Sequence, residues 1–176
     1  MEFSKLVLHR QSTRNFNPNK EIEEDKINLI LESARLAPSA CNSQPYHFTV
    51  CKGETAKQVA KATMSMGLNK FSIDAPVIIV VSEKPYNPTA GLGAKVKHND
   101  YRSIDIGIAV SYLTLEATNQ GLGSCIIGWF DELAIKSVCK IKDRVRLVVA
   151  LGYPSDCDVL RTKKRKKITE LVSAID

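Results

Sequence analysis

The stretch APVIIVVSE, residues 75–83, constrains the fold more than any other part of the chain. Its unbroken run of apolar, largely β-branched residues has no polar face to offer water, so as a strand it must be covered on both sides. Seven apolar residues, 75–81, fall far short of the roughly 20 that a membrane-spanning helix needs. The covering layers are present as amphipathic helices. Within residues 23–36, EEDKINLILESARL, Ile27, Ile30, Leu31 and Ala34 recur at helical spacing before Pro38 ends the segment. Residues 54–66 place Ala56, Val59, Ala60, Thr63 and Met64 on one side, and residues 131–141 form a helix capped by Asp131. The longest helix, residues 101–120, ends at Gly121 and is apolar on more than one face, which calls for a sheet on one side and a partner subunit on the other. Residues 46–52, 124–129 and 144–154 read as further strands, and residues 84–99, rich in Pro and Gly, as a loop. Interleaved helices and strands predict one α/β domain over residues 1–176, a sandwich of two or three layers. Residues after 168 form a short terminal helix or an exchanged arm.

The charge is unevenly placed. The formal net charge is +6, and RTKKRKK, residues 161–167, carries six bases and no acid, so the rest of the chain is formally neutral. That run is a solvated tail, a site for nucleic acid or another acidic surface, or a cationic clamp on a phosphate. Near the other end, LHRQSTRNF places Arg10, Ser12 and Arg14 within five residues, two fixed charges and a hydroxyl that suit an anion. Five scattered cysteines without a CxxC, and no leader-like N-terminus, fit reduced thiols in a cytoplasmic protein. His9, His47 and His98 have no metal-ligand spacing, and no GxSxG elbow or P-loop is present. GLGSCIIG, residues 121–128, leads from a helix into a strand, the reverse of the order that aims amides at a pyrophosphate. Without acid–base pairs or a metal, an enzyme of this sequence must leave its chemistry to an organic cofactor.

The motifs then fall into a family order. HRQSTRNF resembles the R-x-S-x-R/K-x-F opening of the nitroreductase-like flavoproteins. LAPSACNSQPYHFTV, residues 36–50, resembles their A-P-S-x-x-N-x-Q-P-W-x-F motif, the most specific of the matches. IDAPVIIVV is similar to their D-A-P strand, and residues 103–129 to their central helix and following strand. LVVALGYP and the basic run that follows resemble their closing segment.

The resemblance implies a three-layer sandwich around a central mixed sheet, in an intertwined homodimer with FMN at the subunit interface. It implies that Arg10 and Ser12 hold the phosphate, Arg14 the pyrimidine end, and Lys163 and Arg165, in the basic segment 161–176, the rest of a phosphate clamp. Pro38, Ser39, Ala40 and Asn42 would meet the flavin bound mainly by the partner, Asn69 its ring or ribityl chain, and the backbone of Ile127 and Gly128 the ring near N5. NADH or NADPH would reduce the flavin, and a nitroaromatic, quinone or similar small acceptor would reoxidise it by a ping-pong mechanism, with no catalytic side chain. Three departures stand out: Tyr46 where tryptophan is commoner, Ile127 where many members carry glutamate, and a short segment before the central helix, where longer members shape their substrate pocket. The rival readings are an FMN-binding redox sensor or flavin store without nicotinamide turnover, and a nucleic-acid module built on RTKKRKK.

Overall fold

In the computed structural model, which describes residues 1–175, the β-branched run becomes strand β2 (Val77–Glu83) in the interior of a four-stranded sheet. Its neighbours are β1 (Tyr46–Lys52) and β4 (Val145–Gly152), and β3 (Gly123–Ile127) lies beyond β4, giving the order β1-β2-β4-β3. Val80 stands opposite Thr49 on one side and Val148 on the other, and Cys125 opposite Ala150. Alternation then sorts the side chains into two cores. Ile78, Val80, Val148, Ala150 and Ile127 face helices α3 (Gly53–Thr63) and α6 (Glu132–Cys139), meeting Val59, Ala60 and Ile135. Val77, Ile79, Val81, Val149 and Leu151 face α2 (Glu24–Arg35) and α5 (Tyr101–Asn119), meeting Ile27, Ile30, Val110 and Leu113. Three layers result. Each wholly buried Ile or Leu in them contributes about 1.5–3 kcal/mol of transfer free energy.

The sheet itself corrects one expectation. It is not mixed: all three ladders are antiparallel. The one parallel pairing among the described residues is an isolated bridge, Ser12 to Ser124. The N-terminal segment runs beside β3 for that single bridge before Phe16 crosses to pair with Pro154, so no parallel ladder develops.

Residues 84–99 are not simply a loop. They contain α4 (Pro88–Lys97), started by Asn87, whose side-chain oxygen accepts from the Ala90 amide at 2.8 Å, with Pro88 in the first turn. Gly91 and Gly93 each weaken a helix by about 1 kcal/mol, which hides it from a propensity reading. The Asn cap, worth about 0.5–2 kcal/mol, and the fully buried Ala90 offset that cost. An additional helix, α1 (Phe3–His9), precedes the arginine motif and is tied to α5 by the N-terminal amine, which donates to Asn119 Oδ1 at 2.9 Å.

Helix α5 ends as expected, with Gly121 at φ +77° just beyond it. It buries Ile106, Ala109, Val110, Leu113 and Ala117 against the sheet and leaves Ile104 and Tyr112 nearly half exposed. Of the two expectations for the residues after 168, a short helix or an exchanged arm, the helix is reduced to a 3-10 turn, Ile168–Glu170, with Ile168, Leu171 and Val172 exposed.

Candidate functional site

The arginine motif is held by backbone rather than by its own side chains. The Thr13 amide donates to the Ser124 carbonyl at 2.9 Å, and the Asn17 amide to the Tyr153 carbonyl at 2.9 Å, stitching residues 12–17 between β3 and the chain leaving β4. Glycine at 123 permits this approach, because a Cβ there would lie 2.4 Å from Thr13 Oγ1. Beyond the Ser12–Ser124 bridge, the Arg14 amide donates to Asp158 Oδ1 at 3.4 Å.

The C-terminal segment closes over the same place. Lys163 Nζ donates to the Arg10 carbonyl at 2.6 Å, and Arg161 donates to the Ser12 carbonyl. Arg10, Ser12, Arg14, Arg161, Lys163 and Arg165 line one cleft of about 290 Å³. Among the described residues, Arg161 alone of these cations is paired with an acid, Asp158 at 3.0 Å. Desolvation and then the charges of Arg10, Arg165 and Arg161 hold the Lys163 ammonium below its usual pKa. Beneath the cleft, burial pushes the Cys125 thiol up while Arg14, Ser12 and Arg10 pull it back. A concentration of cationic donors without matching carboxylates is a site for a multiply charged anion.

The second group lies where β3 runs out. Asn69, at φ 50°, donates through Nδ2 to the Thr63 carbonyl at 3.2 Å and the Trp129 carbonyl at 3.3 Å, which seats it against the Gly128–Trp129 turn. The Ile127 side chain is buried in the α3–α6 core, leaving only its backbone for a ligand. A Cβ on Gly128 would meet no atom within 4 Å, so the space above that backbone is open.

Pro38, Ser39, Ala40 and Asn42 form a third group that does not line the cationic cleft. Their loop is tightly wound, with Cys41, Asn42 and Gln44 at φ 49°, 52° and 46°, conformations costing about 1–3 kcal/mol each outside glycine. It is clamped from below by buried Asp105, which accepts from the Ala40 amide at 3.0 Å, and from above by Asn87, which donates to the Cys41 carbonyl at 2.9 Å. The Ser39 hydroxyl accepts from the Gln44 amide at 3.0 Å.

Thus Arg10, Ser12, Arg14, Lys163 and Arg165 converge, Asn69 joins Ile127 and Gly128, and residues 38–42 stand apart. Sequence reasoning missed Asp158 and Arg161. The signal was there: the acid bordering the basic run lies three residues before its first arginine. Among the described residues no helix is long and apolar enough to cross a membrane, and no three His, Cys, Asp or Glu side chains gather as metal ligands.

A model of the Nitroreductase family matches residues 7–70 and 64–153. The chain belongs to the nitroreductase family. A nitroreductase family protein from Clostridium novyi NT is 31% identical with a TM-score of 0.78, covering 89% of this chain and 87% of its own. An FMN-dependent nitroreductase from Clostridium difficile R20291 is 25% identical with a TM-score of 0.70, covering 94% and 92%. The oxygen-insensitive NADPH nitroreductase of Helicobacter acinonychis is 26% identical over 178 residues, 84% of this chain and 85% of its own. Both motif-bearing regions, around Arg10–Asn42 and around the central helix and β3, fall inside the matched segments.

Proposed function

We propose that this member of the family is an FMN-dependent oxidoreductase that takes electrons from NADH or NADPH and passes them to a nitroaromatic, quinone or similar acceptor. The observation that carries the reading is the cationic cleft of Arg10, Ser12, Arg14, Lys163 and Arg165; the open backbone at Gly128, just beyond β3, supplies a second part of the site. Its donors fit a phosphate monoester, since guanidinium groups and a hydroxyl match phosphate oxygens in geometry and charge. The names of the Helicobacter and Clostridium difficile relatives supply NADPH and FMN to the reading.

In this proposal Arg10, Ser12, Lys163 and Arg165 hold the phosphate, and Arg14 gives the pyrimidine end a fixed positive charge. Asn69 and the backbone of Ile127 and Gly128 form the wall against the ring. When bound, FMN supplies two-electron acceptance from a nicotinamide and two-electron delivery to an acceptor. The protein binds and orients, and no side chain need gain or lose a proton. One open face serving two ligands in turn predicts ping-pong kinetics. Residues 38–42 serve the flavin of a second copy, so the working form is a homodimer. The half-exposed Ile104 and Tyr112 of α5 and exposed Phe3 and Leu8 of α1 favour such a partner. Free cysteines throughout suit a reducing cytoplasm.

The nucleic-acid reading loses ground because Arg161 and Lys163, the inner end of the basic run, donate to the Ser12 and Arg10 carbonyls. The test is the visible spectrum and flavin content of the purified protein. The proposal expects a yellow protein with about one FMN per chain; a colourless protein that fails to take up added FMN overturns it.

A further inference from the structure

We propose that Asp158 is a positioning residue for the phosphate cleft, holding Arg161 as a brace that ties the basic segment to the Arg10–Arg14 motif. Arg161 is then part of the frame, and Arg10, Lys163 and Arg165 are the groups left free to meet the anion. The inference rests on the reading of the cleft as an FMN phosphate site.

The Asp158 side chain is wholly buried, and three donors converge on it. Gln11 Nε2 donates to Oδ2 at 3.2 Å, the Arg14 amide to Oδ1 at 3.4 Å, and Arg161 Nη1 to Oδ1 at 3.0 Å. The other terminal nitrogen of Arg161 donates to the Ser12 carbonyl, and its amide donates to Gln11 Oε1 at 3.0 Å. Both ends of the guanidinium fork are therefore engaged with the protein. A buried carboxylate persists only when paired and hydrogen-bonded, and this one is both. Gathering Arg10, Lys163 and Arg165 against their mutual repulsion needs an internal tie, and Asp158 is the acid that supplies it. The charge balance favours the arrangement: one acid neutralises the bracing arginine and leaves the remaining cations unmatched.

The experiment compares FMN with riboflavin, which lacks the phosphate, by fluorescence titration of flavin-stripped wild type, Asp158→Ala, Arg161→Ala and the double variant. FMN should bind about tenfold or more weakly to each single variant, while riboflavin affinity changes by less than about twofold. The double variant should be no worse than the singles, because the two residues act through one tie. A merely structural role would weaken both ligands together, and that outcome overturns the inference. So do an unchanged or tighter FMN affinity in Asp158→Ala, and losses that multiply in the double variant, which would make Arg161 an independent phosphate ligand. Should Asp158→Ala fail to fold, Arg161→Ala, whose side chain is 43% exposed, carries the same comparison. A wild type without preference for FMN removes the underlying reading and this inference with it; a wild-type preference that persists in the variants overturns this inference alone.

Discussion

Replacing Gly123 by alanine should disturb the stability and the anion cleft together. A Cβ there would lie 2.4, 2.7 and 2.8 Å from Oγ1, Cγ2 and Cβ of Thr13, a residue only 2% exposed. Thr13 cannot rotate clear, because Cβ itself is among the contacts, so the 12–14 backbone must move off β3. Overpacking of this kind costs about 1–3 kcal/mol, and loss of the Thr13–Ser124 backbone bond adds about 0.5–1.5 kcal/mol. The expected destabilisation is about 2–4 kcal/mol, a large part of a typical domain's 5–15 kcal/mol. Urea unfolding of the flavin-free protein measures it. Thr13→Ala removes two of the three contacts, so in the double variant the two losses should fall short of additivity by about 1 kcal/mol or more. A Gly123→Ala protein within about 0.5 kcal/mol of wild type, or a strictly additive double variant, would refute the account of how the arginine motif is seated.

The mirror experiment is Gly128→Ala, whose methyl enters open space: stability should stay within about 0.5 kcal/mol of wild type while FMN binding weakens clearly in titration. Unaltered FMN affinity would remove Gly128 from the flavin wall. Of the five thiols, the exposed Cys41 and Cys157 should react promptly with a disulfide reagent at neutral pH. Cys125 and Cys51, the latter pushed up to about 12 by burial and then by Cys139, should react only on unfolding; prompt labelling of more than two or three thiols contradicts the packing. Lys163 predicts a pH effect of definite sign. Its ammonium is disfavoured in the folded state, so its penalty is present at neutral pH, is relieved as pH rises through the lowered folded pKa, and is gone above the unfolded pKa. Flavin-free wild type should therefore gain stability relative to Lys163→Met in that alkaline window while its FMN affinity falls, and a gain in affinity there would be inconsistent with Lys163 facing the phosphate.

Elements whose pattern and packing agree were legible in the sequence. Residues 77–81 could be nothing but a strand covered on both faces, and all five are 3% exposed or less. Asp131 caps α6 as its position suggests, accepting from the Ala134 amide at 3.0 Å. Helix α4 was hidden because Gly91 and Gly93 speak against a helix, while its Asn-Pro start is a signal that a Pro/Gly count discards. Helix α1 is only seven residues long, too short for the helical spacing of Phe3, Leu6 and Val7 to repeat, and it buries only Leu6. Strand direction follows from which neighbours pair across the sheet, information that no local periodicity holds. In the site, the family motifs pointed to Arg10, Arg14, Lys163 and Arg165 but not to Arg161 or the acid that pairs with it. Asp158 matters only because the chain after β4 folds back onto residues 10–14, and that contact spans more than 140 residues.

Electron transfer from a nicotinamide through bound FMN to a small acceptor, as proposed, is tested by anaerobic half-reactions. One equivalent of NADH or NADPH should bleach the flavin absorbance of the protein, and a nitroaromatic or quinone, added after the nicotinamide is consumed, should restore it at a rate matching steady-state turnover. A protein that binds FMN tightly yet keeps its absorbance unchanged under excess NADH and NADPH would contradict the claim and leave a flavin store or sensor in its place.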